Sequence, residues 1–144
     1  MKVYIDADGC PVVKTAVDIC EKSRIDVTIV SDTSHIFNDA YAHIIIVDKG
    51  SDSADMKIVA LAEKDDIIIT QDYGLAAMAL TKGCCCISQD GMIYSSDNID
   101  SLLLSRYTAK KIRSSGGRLK GPKKRKLEQD EQFRTAFAKL ISKK

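Results

Sequence analysis

The stretch that most constrains the fold runs from Gly50 to Ala76 and reads GSDSADMKIVALAEKDDIIITQDYGLA. Ala54, Ile58, Leu61 and Ala62 recur at helical spacing, and Asp65-Asp66 separates them from the continuous apolar run Ile67-Ile68-Ile69. A strand apolar on both faces belongs inside a sheet covered by helices on each side, which is the parallel arrangement. Its carboxyl end, Thr70-Gln71-Asp72, then points at the crevice where open α/β sheets hold their ligands, with Asp52 and Asp55 at the start of a neighbouring helix. Carboxylates gathered at one sheet edge repel one another unless a cation or hydrogen-bond donors offset the charge.

The remaining segments repeat the alternation of strand and helix. Lys2 to Asp6 reads as a first strand, and the turn Asp6-Ala7-Asp8-Gly9-Cys10-Pro11 leads into a helix carried by Val12, Val13, Ala16, Val17 and Cys20. Asp8 also suits a turn or capping position, whereas an Asp ending an apolar strand has little structural purpose of its own. Asp26 to Val30 and the apolar His43 to Asp48 are the second and third strands, joined by a turn and an irregular or weakly helical segment through Tyr41. Tyr73 to Thr81 is helical and closes at Gly83, Cys84 to Ser88 is a strand, and Met92 to Tyr94 is a shorter one after the turn Asp90-Gly91. Asp97 or Asn98 then caps a helix bearing Ile99, Leu102, Leu103, Arg106 and Ile112. The pattern predicts an α/β domain over residues 1–113, a mostly parallel sheet with helices on both faces. From Ser114 the chain turns Gly-rich and basic, then recovers a helix at Leu127 whose stripe Phe133, Phe137, Leu140 and Ile141 must pack, so residues 114–144 are expected to close back onto the same domain.

At 144 residues the chain is long enough to bury a core without disulfides, and its five cysteines include three in a row, Cys84 to Cys86. Consecutive strand residues face opposite ways, so these three do not converge on one metal. Cys10, at a helix start, is a candidate for a lowered thiol pKa but reads as packing. A reducing, cytoplasmic setting and no membrane partner are expected. His35 and His43, the only histidines, lack zinc-type spacing to any cysteine, and no nucleophile-elbow motif is present.

Net charge is only +2, but Arg106 to Lys144 holds 14 Lys+Arg against 3 Asp+Glu, a net of +11, leaving −9 on the remainder. An acidic body beside a basic segment suits a cation site next to a polyanion-binding surface, although the basic segment can also dock on the body. Arg113, Arg118, Lys120, Lys123, Lys124, Arg125 and Lys126 are the candidates for nucleic-acid phosphates. Aspartate oxygens are hard ligands, so Asp6, Asp8, Asp52, Asp55 and Asp72 suit Mg2+ or Mn2+ ahead of zinc. Asp52 alone reads as an N-cap and Asp55 alone as a first-turn charge; with Asp6 and Asp72 they become a candidate catalytic set for metal-assisted phosphodiester hydrolysis, on RNA ahead of DNA. A homodimer is left open.

The combination of DADGCPV, GSDSAD, IIITQDYGLA and the later Gly-Pro with Asp130 and Phe133 resembles the uncharacterised bacterial YaiI/YqxD family, grouped with the PIN-like domains, over nearly the whole chain. That resemblance implies a PIN-like parallel sheet and a divalent-metal site. It places Asp6 as the first-strand aspartate, Asp52 or Asp55 as the acidic residue of the central helix, and Asp72 as the aspartate of a Thr-x-Asp motif. Two alternatives stand beside it. One is a phosphatase with Asp6 as nucleophile and Asp8 as general acid, which lacks a later Gly-Asp-x-x-x-Asp element. The other is a non-catalytic nucleic-acid-binding or regulatory module.

Overall fold

The computed structural model describes residues 1–50, 52–116 and 124–143. Its strands are β1 (Lys2–Asp6), β2 (Asp26–Asp32), β3 (His43–Val47), β4 (Ile67–Ile69), β5 (Cys85–Ile87) and β6 (Ile93–Tyr94). Its helices are α1 (Val13–Lys22), α2 (Ser53–Leu61), α3 (Tyr73–Thr81), α4 (Ile99–Ser114) and α5 (Leu127–Ser142). The strands form one sheet in the order β3-β2-β1-β4-β5-β6, parallel except for the β5–β6 pair. The chain is therefore α/β with helices on both faces.

The two sides of the sheet follow from strand alternation. Val3, Ile5, Val27, Ile29, Ile67, Ile69 and Ile87 face one core with α1, while Tyr4, Val30, Ile68, Cys84 and Cys86 face the other with α2, α3 and α4. Because α2 and α3 both lie on the second side, the crossovers leave β4 and β5 uncovered on the first. The C-terminal helix supplies that cover: Phe133, Phe137 and Ile141 are buried in the same cluster as Ile69 and Ile87, and the two phenyl rings stack with centroids 5.3 Å apart.

The entry of α5 is pinned to the β5–β6 turn. Arg125 donates from Nε to Asp130 at 2.7 Å, from Nη1 to Asp90 at 2.6 Å and from Nη2 to the Gln89 carbonyl at 2.8 Å. Gly91, at φ +87°, lies so close beneath the helix that a Cβ there would fall 2.7 Å from the Gln132 carbonyl oxygen. The guanidinium expected to lie on a phosphate backbone is thus committed to two carboxylates within the fold, and its side chain is only 21 % exposed. Arg125→Ala is expected to lower unfolding free energy by about 1.5–3 kcal/mol, the range for hydrogen bonds to charged groups, as read by urea denaturation. Exposed Lys124 and Lys126 should tolerate the same change.

The apolar stretch His43 to Asp48 forms β3 over His43–Val47, at the edge of the sheet, where Ile46 remains 56 % exposed. The segment between β2 and β3 forms no helix, although Tyr41 ties it down by donating to the Ile25 carbonyl at 2.7 Å. Arg118, Lys120 and Lys123 lie outside the described residues. Among the described residues no helix is long and apolar enough to cross a membrane.

Candidate metal centre

The strand order reverses direction at β1. From β1 the chain moves outward to β2 and β3, then returns to the other side of β1 as β4. The crevice between the carboxyl ends of β1 and β4 is therefore the switch point at which this class of sheet binds ligands. Asp6 ends β1, and Thr70-Gln71-Asp72 follows β4. Backbone pairing continues one residue past each strand, Ala7 N–H to the Val30 carbonyl and Thr70 N–H to the Ile87 carbonyl, and beyond that side chains take over.

Thr70, almost fully buried, joins the two strand ends. Its hydroxyl donates to Asp6 Oδ2 at 2.8 Å and accepts from the Asp72 N–H at 2.9 Å. Its own carbonyl accepts from the Tyr94 hydroxyl at 3.1 Å, which ties the position to β6. Asp72 then serves as N-cap of α3, its Oδ1 accepting from Gly74 N–H at 2.8 Å and Leu75 N–H at 3.2 Å. A Cβ at Gly74 would stand 3.2 Å from that same oxygen, so a glycine keeps the cap open.

Asp55 comes to this point from the first turn of α2 and shares a hydrogen bond with Asp72. Burial, that bond, and the charges of Asp72, Asp6 and Asp52 push the Asp55 carboxyl up to about 7. Burial opposes ionisation of Asp72 as well, but the Asp55 proton, the Leu75 and Gly74 N–H groups and Arg106 outweigh it and hold Asp72 below the usual range. Asp72 therefore ionises first and Asp55 last as pH rises, and the two titrate as a pair. Burial raises Asp6 too, against the Thr70 hydrogen bond, and the Asp72 and Asp8 charges add to the rise. Asp52 stands at the N-cap position of α2 without capping it and is exposed at the rim.

Sequence reasoning passed over Arg106 as a member of the site. It reaches from α4 to Asp72 Oδ1 at 3.4 Å while remaining 60 % exposed, and its signal in the sequence was a cation following the apolar Leu102 and Leu103. Asp6, Asp8, Gln71, Asp72, Tyr73 and Arg106 line an open cleft of about 460 Å3, and Asp52 and Asp55 end an adjoining one of about 520 Å3 lined also by Met56, Val59, Ala60 and Met78.

Asp8 lines the same cleft as Asp6 and Asp72 but is engaged by a different set of partners. It accepts from the Asp32 N–H at 3.2 Å and lies 3.1 Å from His35 Nδ1, and Asp8, Asp32 and His35 each bring one ligand-type atom within 4.8 Å of the others. Asp32 is in turn bound to the Ser34 hydroxyl and N–H, which hold its carboxyl below the usual range. This group clamps the β2 end to the turn after β1. Cys10 has its thiol pushed up by burial, so it is a packing residue and not an activated one. Arg113 is exposed at the last turn of α4.

Comparison with known proteins gives a consistent result. The family model described as "Uncharacterized BCR, YaiI/YqxD family" matches residues 4–143. A UPF0178 protein of Clostridium acetobutylicum is 47 % identical over 143 residues, covering 98 % of this chain and 97 % of the relative. UPF0178 proteins of Bacillus cereus and Ruminiclostridium cellulolyticum are each 45 % identical, covering 99 % and 98 % of this chain and 99 % and 92 % of their own lengths. No solved structure matches the chain significantly.

Proposed function

The chain belongs to the YaiI/YqxD family, and on that premise we propose that it is a Mg2+- or Mn2+-dependent nuclease of PIN-like type that hydrolyses phosphodiester bonds, in RNA ahead of DNA. One observation carries the reading: Asp6, Asp55 and Asp72, brought from three different elements, face the switch-point crevice near enough for their charges to act on one another. Three aspartates in a half-buried crevice cost stability unless something offsets their charge, and Arg106 supplies only one exposed cation. The donor set is all oxygen, which fits a hard divalent ion.

Asp6, Asp55 and Asp72 would hold the ion, with Asp52 and Asp8 at the rim. When bound, it would polarise the scissile phosphate and acidify a water molecule. The chain's own residues prepare for this. Thr70 holds Asp6 in place and fixes the Asp72 backbone, the α3 amide groups orient the Asp72 carboxylate, and Asp55 releases its proton as the site fills. The cleft that Asp6, Asp72 and Arg106 line is open enough for an extended phosphate chain. The same geometry weighs against the phosphatase alternative, because Asp8, its general acid, is engaged by Asp32 and His35.

Calorimetric titration with Mn2+ at pH 7 is expected to show binding to the wild type with release of a proton, and none to Asp6→Asn/Asp72→Asn. A nuclease screen on single- and double-stranded RNA and DNA should show cleavage that the double variant loses. Absence of Mn2+ uptake by the folded wild type would remove the metal centre and turn the reading to a nucleic-acid-binding module.

A further inference from the structure

Beyond Leu103, α4 leaves the body of the protein. Of residues 104–114 only Ala109 is partly buried, and Leu104 and Tyr107 are 65 % and 61 % exposed. A helix that continues for three turns without a packing surface gains little from propensity alone, so this half carries exposed side chains for some other purpose. Arg106, Lys110 and Arg113 recur at i, i+4 and i+7 and share one face, which spans about 10 Å of helix at 1.5 Å per residue. That face begins at the candidate metal centre, because Arg106 is the residue that reaches Asp72. The adjoining face carries Leu104, Tyr107 and Lys111, and the Lys111 ammonium lies 5.9 Å from the centre of the Tyr107 ring. From Ser101 to Leu127 the chain has no acidic residue.

We propose that the outer half of α4 is a binding track for single-stranded nucleic acid, leading a strand into the carboxylate cluster by way of Arg106. The row of cations takes successive backbone phosphates, and Tyr107 offers an aromatic face to an unpaired base. Duplex partners fit less well, since their bases are already stacked and only the cationic row has anything to bind. A protein partner would have to bring an acidic surface to the cations, and a second copy of this chain would oppose like charges along the same helix. The track takes its direction from the nuclease reading of the cluster, but its binding chemistry does not need the metal.

The test is fluorescence anisotropy with a fluorescein-labelled 12-nucleotide single-stranded RNA and with the same sequence as a duplex. EDTA is present so that neither cleavage nor metal occupancy contributes. Lys110→Ala/Arg113→Ala is expected to weaken single-strand binding at least tenfold and to reduce the slope of log affinity against log salt by about 1.4, from about 0.7 per lost phosphate contact. Tyr107→Ala is expected to weaken single-strand binding severalfold and to leave duplex binding unchanged. These positions are exposed, so circular dichroism and melting temperature should match the wild type. Wild-type affinity in the Lys110/Arg113 variant, equal losses on single strand and duplex in the Tyr107 variant, or a dimer in sedimentation that buries α4 would each overturn the track. RNA binding in EDTA by a protein that takes up no Mn2+ would overturn the metal centre and leave the track standing. Mn2+ uptake without RNA binding would do the reverse.

Discussion

Asp55→Asn is expected to raise the melting temperature of the metal-free protein at pH 8 and to leave it nearly unchanged at pH 4. The folded-state pKa of Asp55 is raised from 3.8 to about 7, so the stability linked to its proton is fully present below about pH 4 and is lost as pH rises through 7. Asp72 is shifted the other way, and its contribution is lost as pH falls through its lowered value. Between the two, the pair shares one proton and is at its most favourable. Above pH 7 both carboxylates are charged beside Asp6, and asparagine relieves that repulsion while still donating to Asp72. Asp55 is only half-buried, so solvent screening holds the gain to about 1–2 kcal/mol, or roughly 3–8 °C for a domain of this size. Calorimetric melting in EDTA at the two pH values measures it. Mn2+ should then stabilise the wild type at pH 8 and not the variant, the pattern of a site that gives up stability for binding. An equal loss of stability at both pH values would mean that Asp55 is a packing residue without coupling to Asp72.

The largest effect on stability is expected at the opposite face. Phe137→Ala should cost about 3–5 kcal/mol in unfolding free energy, seen as a lower urea midpoint with an unchanged slope. Phe137 is fully buried, stacked on Phe133, and set in the cluster that includes α1 and the β4 and β5 side chains. Removing its ring opens a cavity against β4 and β5, the part of this sheet face that α1 leaves uncovered. Leu127→Ala, on the same helix but 84 % exposed, should change stability by no more than about 0.5 kcal/mol.

These two expectations draw on different amounts of sequence information. The stripe Phe133, Phe137 and Ile141 was visible as helical periodicity, and the burial of all three follows from it. Strand alternation likewise assigned the cysteines correctly: Cys84 and Cys86 face one core and Cys85 the other. The carboxylate partners of Arg125 were not legible, because a basic run gives no sign of which member has carboxylates waiting for it; Asp90 is 35 residues away in sequence. Asp72 was legible as a strand-end carboxylate, but its second role as the α3 cap depends on where the turn after β4 places Gly74.

Local pattern by itself determined the class of fold, the order of its elements, and the nomination of Asp6, Asp52, Asp55 and Asp72, because apolar periodicity and strand-end acids are short-range properties of the chain. Only the tertiary structure decided which of these acids meet. Strand order brought β1 beside β4, so that Asp6 and Asp72 share the Thr70 hydroxyl; the crossover through α2 carried Asp55 onto Asp72; and the turn after β1 gave Asp8 to Asp32 and His35. Proton sharing and ion pairing depend on separations of a few ångströms between residues far apart in the chain. Arg106 enters the site for the same reason, since α4 must first pack against α3 before its side chain can reach Asp72.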